Sequence, residues 1–258
     1  MAIVLEARNL NKSFGAVTAA SNINVGVEQD NVVGLIGSNG AGKTTFINMV
    51  TGYLKPSSGS IHYLDREITG MSPRHITQLG ICRSFQIPQL FNTLTVYENL
   101  QVGVDVAARS GREGTVRSGA EAAQIDTLIE RFNLAGYRGQ AAGLLPEGVR
   151  KLLDIAMAVA GRPQVLLLDE PTSGVSADEK FRLMDMVMIA LKAQGVTVLF
   201  VERDMDIVSR YTQRILAFYE GRIIADGEPN TVLQDTEVRK YVIGEALHTS
   251  KQAAHGQA

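Results

Sequence analysis

A single cysteine, Cys82, stands in the whole chain. That excludes an intramolecular disulfide. The opening Ile3-Val4-Leu5-Glu6, in place of a charged segment followed by an apolar one, joins it in pointing to the cytosol. Long apolar runs are missing as well: Val165 to Leu168 is strand length, far short of the ~20 residues that span a bilayer, so membrane association requires a partner. Charge of one sign is also lacking. Lys and Arg number 25 against 27 Asp and Glu, a net charge of -2, which leaves no electrostatic footprint for nucleic acid. The four histidines, His62, His75, His248 and His255, have no metal-ligand spacing. What remains is 258 residues, enough for one large or two closely packed domains with a substantial core.

What is present centres on Gly37-Ser38-Asn39-Gly40-Ala41-Gly42-Lys43-Thr44-Thr45, set between the apolar runs Val32, Val33, Leu35, Ile36 and Phe46, Ile47, Met49, Val50. The order is strand, loop, helix. Glycines 37, 40 and 42 let the backbone turn tightly and approach a ligand, and the first N–H groups of the helix have no intrahelical partner. Such donors suit phosphate oxygens, with Lys43 reaching the terminal phosphates and the Thr44 hydroxyl ligating a bridging magnesium. This is a Walker A loop. The competing reading, a glycine-rich helix cap, leaves Lys43 unexplained.

Around that loop the pattern is mixed. Residues 3 to 8 and 23 to 28 read as short strands flanking Lys12-Ser13-Phe14-Gly15, and Ile61-His62-Tyr63 offers a third strand of an antiparallel lobe. Leu79 to Phe85 leads to Gln86, after which helical periodicity begins near Val96, Leu100 and Val104 and returns over 120 to 133. Ser110 to Gly114 reads as a surface loop. The span from about 88 to 160 therefore reads as a helical subdomain. A core of alternating strands and helices resumes over about 161 to 245, with a strand at 165 to 168, a helix at 178 to 193, a strand at 196 to 201 and a hairpin over 215 to 226. The polar residues 246 to 258 read as a disordered tail.

Asp169 and Glu170 end the buried run Val165 to Leu168, at the carboxyl end of a strand where parallel sheets bind ligands. Asp169 is expected there to hold a magnesium through its water shell, and Glu170 to orient and deprotonate the water that attacks the γ-phosphate. The bland alternative is a solvated acidic strand end.

These residues resemble the ATP-binding subunits of ABC transporters over about residues 3 to 245. The resemblance rests on the Walker A loop, Arg83-Ser84-Phe85-Gln86, the signature-like Leu145-Pro146-Glu147-Gly148-Val149-Arg150-Lys151, and Leu166-Leu167-Leu168-Asp169-Glu170-Pro171-Thr172, in that order and spacing. It implies an α/β fold, a RecA-like P-loop core with an antiparallel β lobe (about 1–87 and 161–245) and a helical subdomain (about 88–160). Phe85 to Phe91, Leu94 to Leu100 and Val238 to Glu245 look like the subunits serving branched-chain amino acid importers. Relatives serving other amides and carboxylates share these features.

The resemblance further implies ATP and magnesium as ligands. Phe14 is the aromatic that stacks on adenine, against a role in core packing; Gln86 is a magnesium ligand that reports to the helical subdomain, against a plain hydrogen-bonding role. Residues 88 to 100 receive a coupling helix of a membrane permease, against ordinary internal packing. A substrate-binding protein acts indirectly, and the chain sits peripherally on the inner face of the plasma membrane.

Four positions depart from the family, one of them Ser176, where most members carry an aspartate in the dimer-facing loop and branched-chain relatives commonly an asparagine. Pro146 stands where a serine hydroxyl contacts the γ-phosphate of the opposite subunit, Glu147 replaces a glycine beside Gly148, and Arg203 replaces a histidine that contacts the γ-phosphate and attacking water. Two copies of this chain would carry both defects in each composite site, so a heterodimer with a related ATPase subunit is expected. The rival expectations are a regulatory subunit that binds nucleotide but scarcely hydrolyses it, and an ABC ATPase that works without a permease.

Overall fold

The computed structural model describes residues 2–109 and 120–244. The expected loop at 110 to 114 and the expected tail at 246 to 258 lie outside them. Two sheets form. The first is antiparallel, in the order β2-β1-β4-β5, from β1 (Ile3–Phe14), β2 (Val17–Glu28), β4 (Ser58–Tyr63) and β5 (Arg66–Glu67). The second runs β10-β9-β3-β8-β7-β6, from β3 (Val32–Gly37), β6 (Ile81–Ser84), β7 (Val165–Asp169), β8 (Thr197–Val201), β9 (Arg214–Tyr219) and β10 (Arg222–Gly227). It is parallel except for the β9–β10 hairpin.

β1 and β2 are each twelve residues long, so the expected short strands at 3–8 and 23–28 are corrected to one long hairpin. The apolar alternation fades because asparagines occupy its bulges. Asn9 and Asn22 take left-handed backbone angles (φ 46° and 50°), Asn24 Oδ1 accepts from Asn9 N at 2.8 Å and Asn11 Oδ1 from Asn22 N at 2.8 Å. The side chains replace ladder bonds, and pairing continues past a polar stretch.

The larger sheet is covered on both faces, which explains its uninterrupted apolar strands. Val33, Leu35, Leu167, Leu199 and Phe218 face a core shared with the first sheet and α1 (Lys43–Val50). Ile36, Leu166, Leu168, Val198 and Phe200 face the opposite core. That second core is continuous with α3 (Val96–Arg109), α4 (Glu121–Arg131) and α5 (Glu147–Ala160). It also takes in α6 (Ala177–Lys192), α7 (Met205–Tyr211), α8 (Pro229–Gln234) and α9 (Thr236–Val238). The short helices α2 (Pro73–Leu79), α7, α8 and α9 escaped the sequence pattern; in α2, Pro73 starts the helix and Gly80, at φ 117°, stops it after seven residues, too few for a periodicity to emerge.

α3 begins with a reciprocal cap. Glu98 Oε2 accepts from Thr95 N and Oγ1 at 2.8 Å, while Thr95 Oγ1 accepts from Glu98 N at 3.2 Å. Beside it, fully buried Asn99 donates to the carbonyls of Phe91, Leu94 and Thr95 and accepts from Phe91 N, pinning the loop before the helix.

Candidate nucleotide site

β3 delivers the chain into the glycine-rich loop and α1 takes it away. Gly37, Gly40 and Gly42 all have positive φ (152°, 78° and 107°). At two of them only glycine fits: a Cβ on Gly37 would lie 2.5 Å from the Phe218 carbonyl oxygen, and one on Gly42 would lie 2.7 Å from that of Ala19. Ser38, Asn39, Gly40 and Thr44 are exposed, Thr45 is half-buried and Ala41 is buried, its carbonyl accepting from Gly221 N at 2.9 Å. The loop is thus anchored from behind and open in front.

Lys43 is buried and folds over the loop, donating from Nζ to the carbonyls of Gly37 (2.6 Å) and Ser38 (3.0 Å). Burial lowers its pKa, the Arg203 charge adds to this, and Glu170 and Asp169 oppose it. The parallel order β3-β8-β7-β6 sets the carboxyl ends of four strands side by side. Lys43, Arg203, Asp169 with Glu170, and Gln86 therefore converge, although up to 160 positions separate them.

Glu170 has a left-handed backbone (φ 47°), and its N–H donates to the Val201 carbonyl at 3.0 Å. Both carboxylate oxygens are held: Gln86 Nε2 donates to Oε2 at 2.9 Å, and Arg203 Nε donates to Oε1 at 2.7 Å, with Nη2 of the same guanidinium 2.7 Å from that oxygen as an ion pair. Glu202, also buried, accepts from Thr172 N (2.9 Å), Thr172 Oγ1 (2.6 Å) and Arg203 N (3.0 Å), fixing the chain on both sides.

Asp169 is not a solvated strand end. Arg83 Nη2 meets its Oδ2 at 2.5 Å, with both side chains nearly buried, and Arg83 Nη1 donates to Asn48 Oδ1 at 2.7 Å. Sequence reasoning missed Arg83 and Asn48. The available signal was an arginine inside an otherwise apolar strand.

Thr44, Gln86 and Asp169 offer a hydroxyl, an amide and one carboxylate. This set suits a hard cation that keeps waters and takes its remaining oxygens from phosphate. Among the described residues no group of three or more His, Cys, Asp or Glu side chains forms a cation cage.

Phe14 ends β1 with its ring half exposed and Lys12 Nζ 5.0 Å from the ring centre, so the core-packing alternative fails. Pro146 is the N-cap of α5 and supplies no side-chain cap. Glu147 turns its Oε2 to 3.9 Å from Arg150 Nε, and Gly148 has open space beside its Cα.

A cavity of about 680 Å³ opens between α2, β6, α3 and α5, lined by Tyr53, Phe85, Phe91, Val102, Val106 and Met157 among others. Of the residues 88 to 100 only Phe91 lines it; Val96, Asn99 and Leu100 are buried inward. No described helix is long and apolar enough to cross a membrane.

Residues 20–173 match the family model described as ABC transporter. The chain belongs to the ABC transporter family and is an ATPase subunit of such a transporter, binding ATP and working with a membrane permease. Within the family it is similar to the high-affinity branched-chain amino acid transport ATP-binding protein BraF of Pseudomonas aeruginosa, at 34% identity over 94% of this chain and 98% of BraF. LivG of Escherichia coli is 32% identical over the same shares of the two chains. Among solved structures, the ADP conformation of the ATP-binding cassette MJ1267 superposes with a TM-score of 0.82 at 30% identity, covering 95% of this chain and all of that one.

Proposed function

We propose that this subunit powers an importer for branched-chain amino acids or a related small amide or carboxylate, closing on ATP against a second, related ATPase subunit at the inner face of the plasma membrane. The observation that carries this is the convergence of Lys43, Gln86, Asp169, Glu170 and Arg203 at neighbouring strand ends beside the loop. The names of BraF and LivG support the solute class.

In this reading the N–H groups of the loop and of the start of α1 hold the phosphates, Lys43 exchanges its carbonyl partners for phosphate oxygens, and Phe14 stacks on adenine. Thr44, Gln86 and Asp169 would hold a magnesium ion, which would supply positive charge to offset that of the bound phosphates. Arg203 moves to the γ-phosphate, and Glu170, released, takes the proton of the attacking water. Gly148 and the uncapped start of α5 approach the nucleotide of the partner subunit, and Arg150 draws the Glu147 charge aside. The cavity lined by Tyr53, Phe91, Val106 and Met157 receives a helix of the permease, and a substrate-binding protein acts on its far side.

A second reading, a regulatory subunit with little hydrolysis, is favoured by the engaged Glu170 carboxylate and by Pro146. The deciding experiment is phosphate release from magnesium-ATP by the purified chain, alone and with its co-purified membrane and ATPase partners, run beside Glu170→Gln. Turnover that the variant abolishes supports the motor. Equal silence of both while ATP binds supports the regulatory reading, and absence of any membrane partner favours an ABC ATPase that works without a permease.

A further inference from the structure

We infer that Lys151 is a positioning residue that ties the catalytic end of β7 and the Gln86 loop to α5, the helix whose start faces the opposite nucleotide. The inference rests on the proposed role of Glu170 as base. Lys151 is 3% exposed, yet all three of its bonds go to uncharged oxygens: Ser173 Oγ at 2.9 Å, the Glu170 carbonyl at 3.1 Å and the Gln86 carbonyl at 3.4 Å. Burial lowers its pKa, while Glu147, Glu202, Glu170 and Asp154 oppose that at a distance. A buried ammonium is costly, and this one spends its three donors on two segments of the site, the Glu170–Ser173 turn and the Gln86 loop.

The segments it joins are informative. Glu170 is a non-glycine residue at φ 47°, a conformation that persists only when its surroundings fix it. Its carbonyl is held by Lys151 Nζ and by Ser173 N at 3.1 Å, and its own N–H by Val201. One turn further along α5, Asp154 accepts from Phe85 N at 3.2 Å and from Gln89 N at 2.8 Å. The two side chains therefore grip Gln86 from both flanks and Glu170 from its carbonyl. Any rotation of α5, whether caused by nucleotide at its start or by a permease helix in the cavity lined by Met157 and Ala158, is transmitted to the backbone of Glu170 and to Gln86, whose amide holds the Glu170 carboxylate.

The test compares wild type, Lys151→Met, Lys151→Arg, Ser173→Ala and Glu170→Gln in the full chain with its partner subunits. It measures melting, magnesium-ATP affinity and steady-state phosphate release. Lys151→Met is expected to lower kcat by at least about tenfold with KM and ATP affinity within about threefold, and Lys151→Arg to recover much of it, since misplacing a base by a fraction of an ångström acts on the chemical step. A folded Lys151→Met with kcat within about twofold of wild type, or one whose loss lies wholly in KM, overturns the inference. If Lys151→Met fails to melt cooperatively, Ser173→Ala decides: a lowered kcat at unchanged KM supports the tie, an unchanged kcat overturns it. If Glu170→Gln keeps turning over, the base assignment itself has failed; if it is silent while Lys151→Met is active, only the present inference has.

Discussion

Arg203 pairs with one carboxylate oxygen of Glu170, donating from Nε with Nη2 alongside, while Gln86 donates to the other. Both oxygens that could accept a proton from water thereby carry a donor already. Arg203 is more than half exposed, and ion pairs of that kind contribute about 0–1 kcal/mol, so an arriving γ-phosphate can draw the guanidinium away.

For Arg203→Met we expect a fall in turnover of about a hundredfold, from loss of a donor to developing charge, with stability changed by less than about 1 kcal/mol. Phosphate release and urea unfolding, measured together, check this; unchanged turnover would remove Arg203 from the site.

Gly42→Ala and Gly148→Ala make a contrasting pair. The first sets a Cβ 2.7 Å from a backbone oxygen at φ 107° and should cost about 1–3 kcal/mol and most nucleotide affinity. The second meets nothing within 4 Å and lies in a helix, where alanine gains about 0.5–1 kcal/mol, so the isolated chain should be no less stable. If the start of α5 approaches the partner's nucleotide as proposed, turnover in the assembled dimer should nevertheless fall, because the methyl would enter that space.

Burial pushes the Asp154 carboxyl up to about 6, against bonds from Gln89 N and Phe85 N and the Lys151 charge, which pull it down. The folded chain then binds this proton more tightly than the unfolded chain, so the group's contribution to stability declines as pH rises from about 4 to about 6. Asp154→Asn removes that slope. Relative to wild type, the variant should gain on the order of 2 kcal/mol between pH 4.5 and 7, on top of a pH-independent loss from the altered acceptor. Urea midpoints at the two pH values give the comparison, and a pH-invariant difference would refute the assignment.

Val106 is 59% exposed on the cavity wall, so Val106→Asp should leave stability within about 0.5 kcal/mol. Recovery of the permease with the tagged chain should drop several-fold while ATP affinity of the free subunit stays unchanged. Full recovery of the permease would place its docking elsewhere.

Residues 37 to 45, the strand run ending in Asp169-Glu170, and the glutamine after Phe85 were legible because each motif is local: spacing along the chain dictates which groups a strand end or helix start presents. The hairpin of β9 and β10 and the helices α3 and α4 were legible for the same reason, through periodicity. The bulged continuation of β1 and β2 was not, because asparagine side chains replaced the alternation that marks a strand.

The sequence by itself determined the phosphate loop, the pair of acidic residues and the family. Tertiary structure alone decided that Arg203 meets Glu170, that Arg83 neutralises Asp169, and that Lys151 bonds both the Glu170–Ser173 turn and the Gln86 loop. Those partners lie 33, 86 and up to 65 positions apart along the chain. Nothing in local spacing pairs them; the order of strands β3-β8-β7-β6 and the packing of α5 against β6 and β7 do.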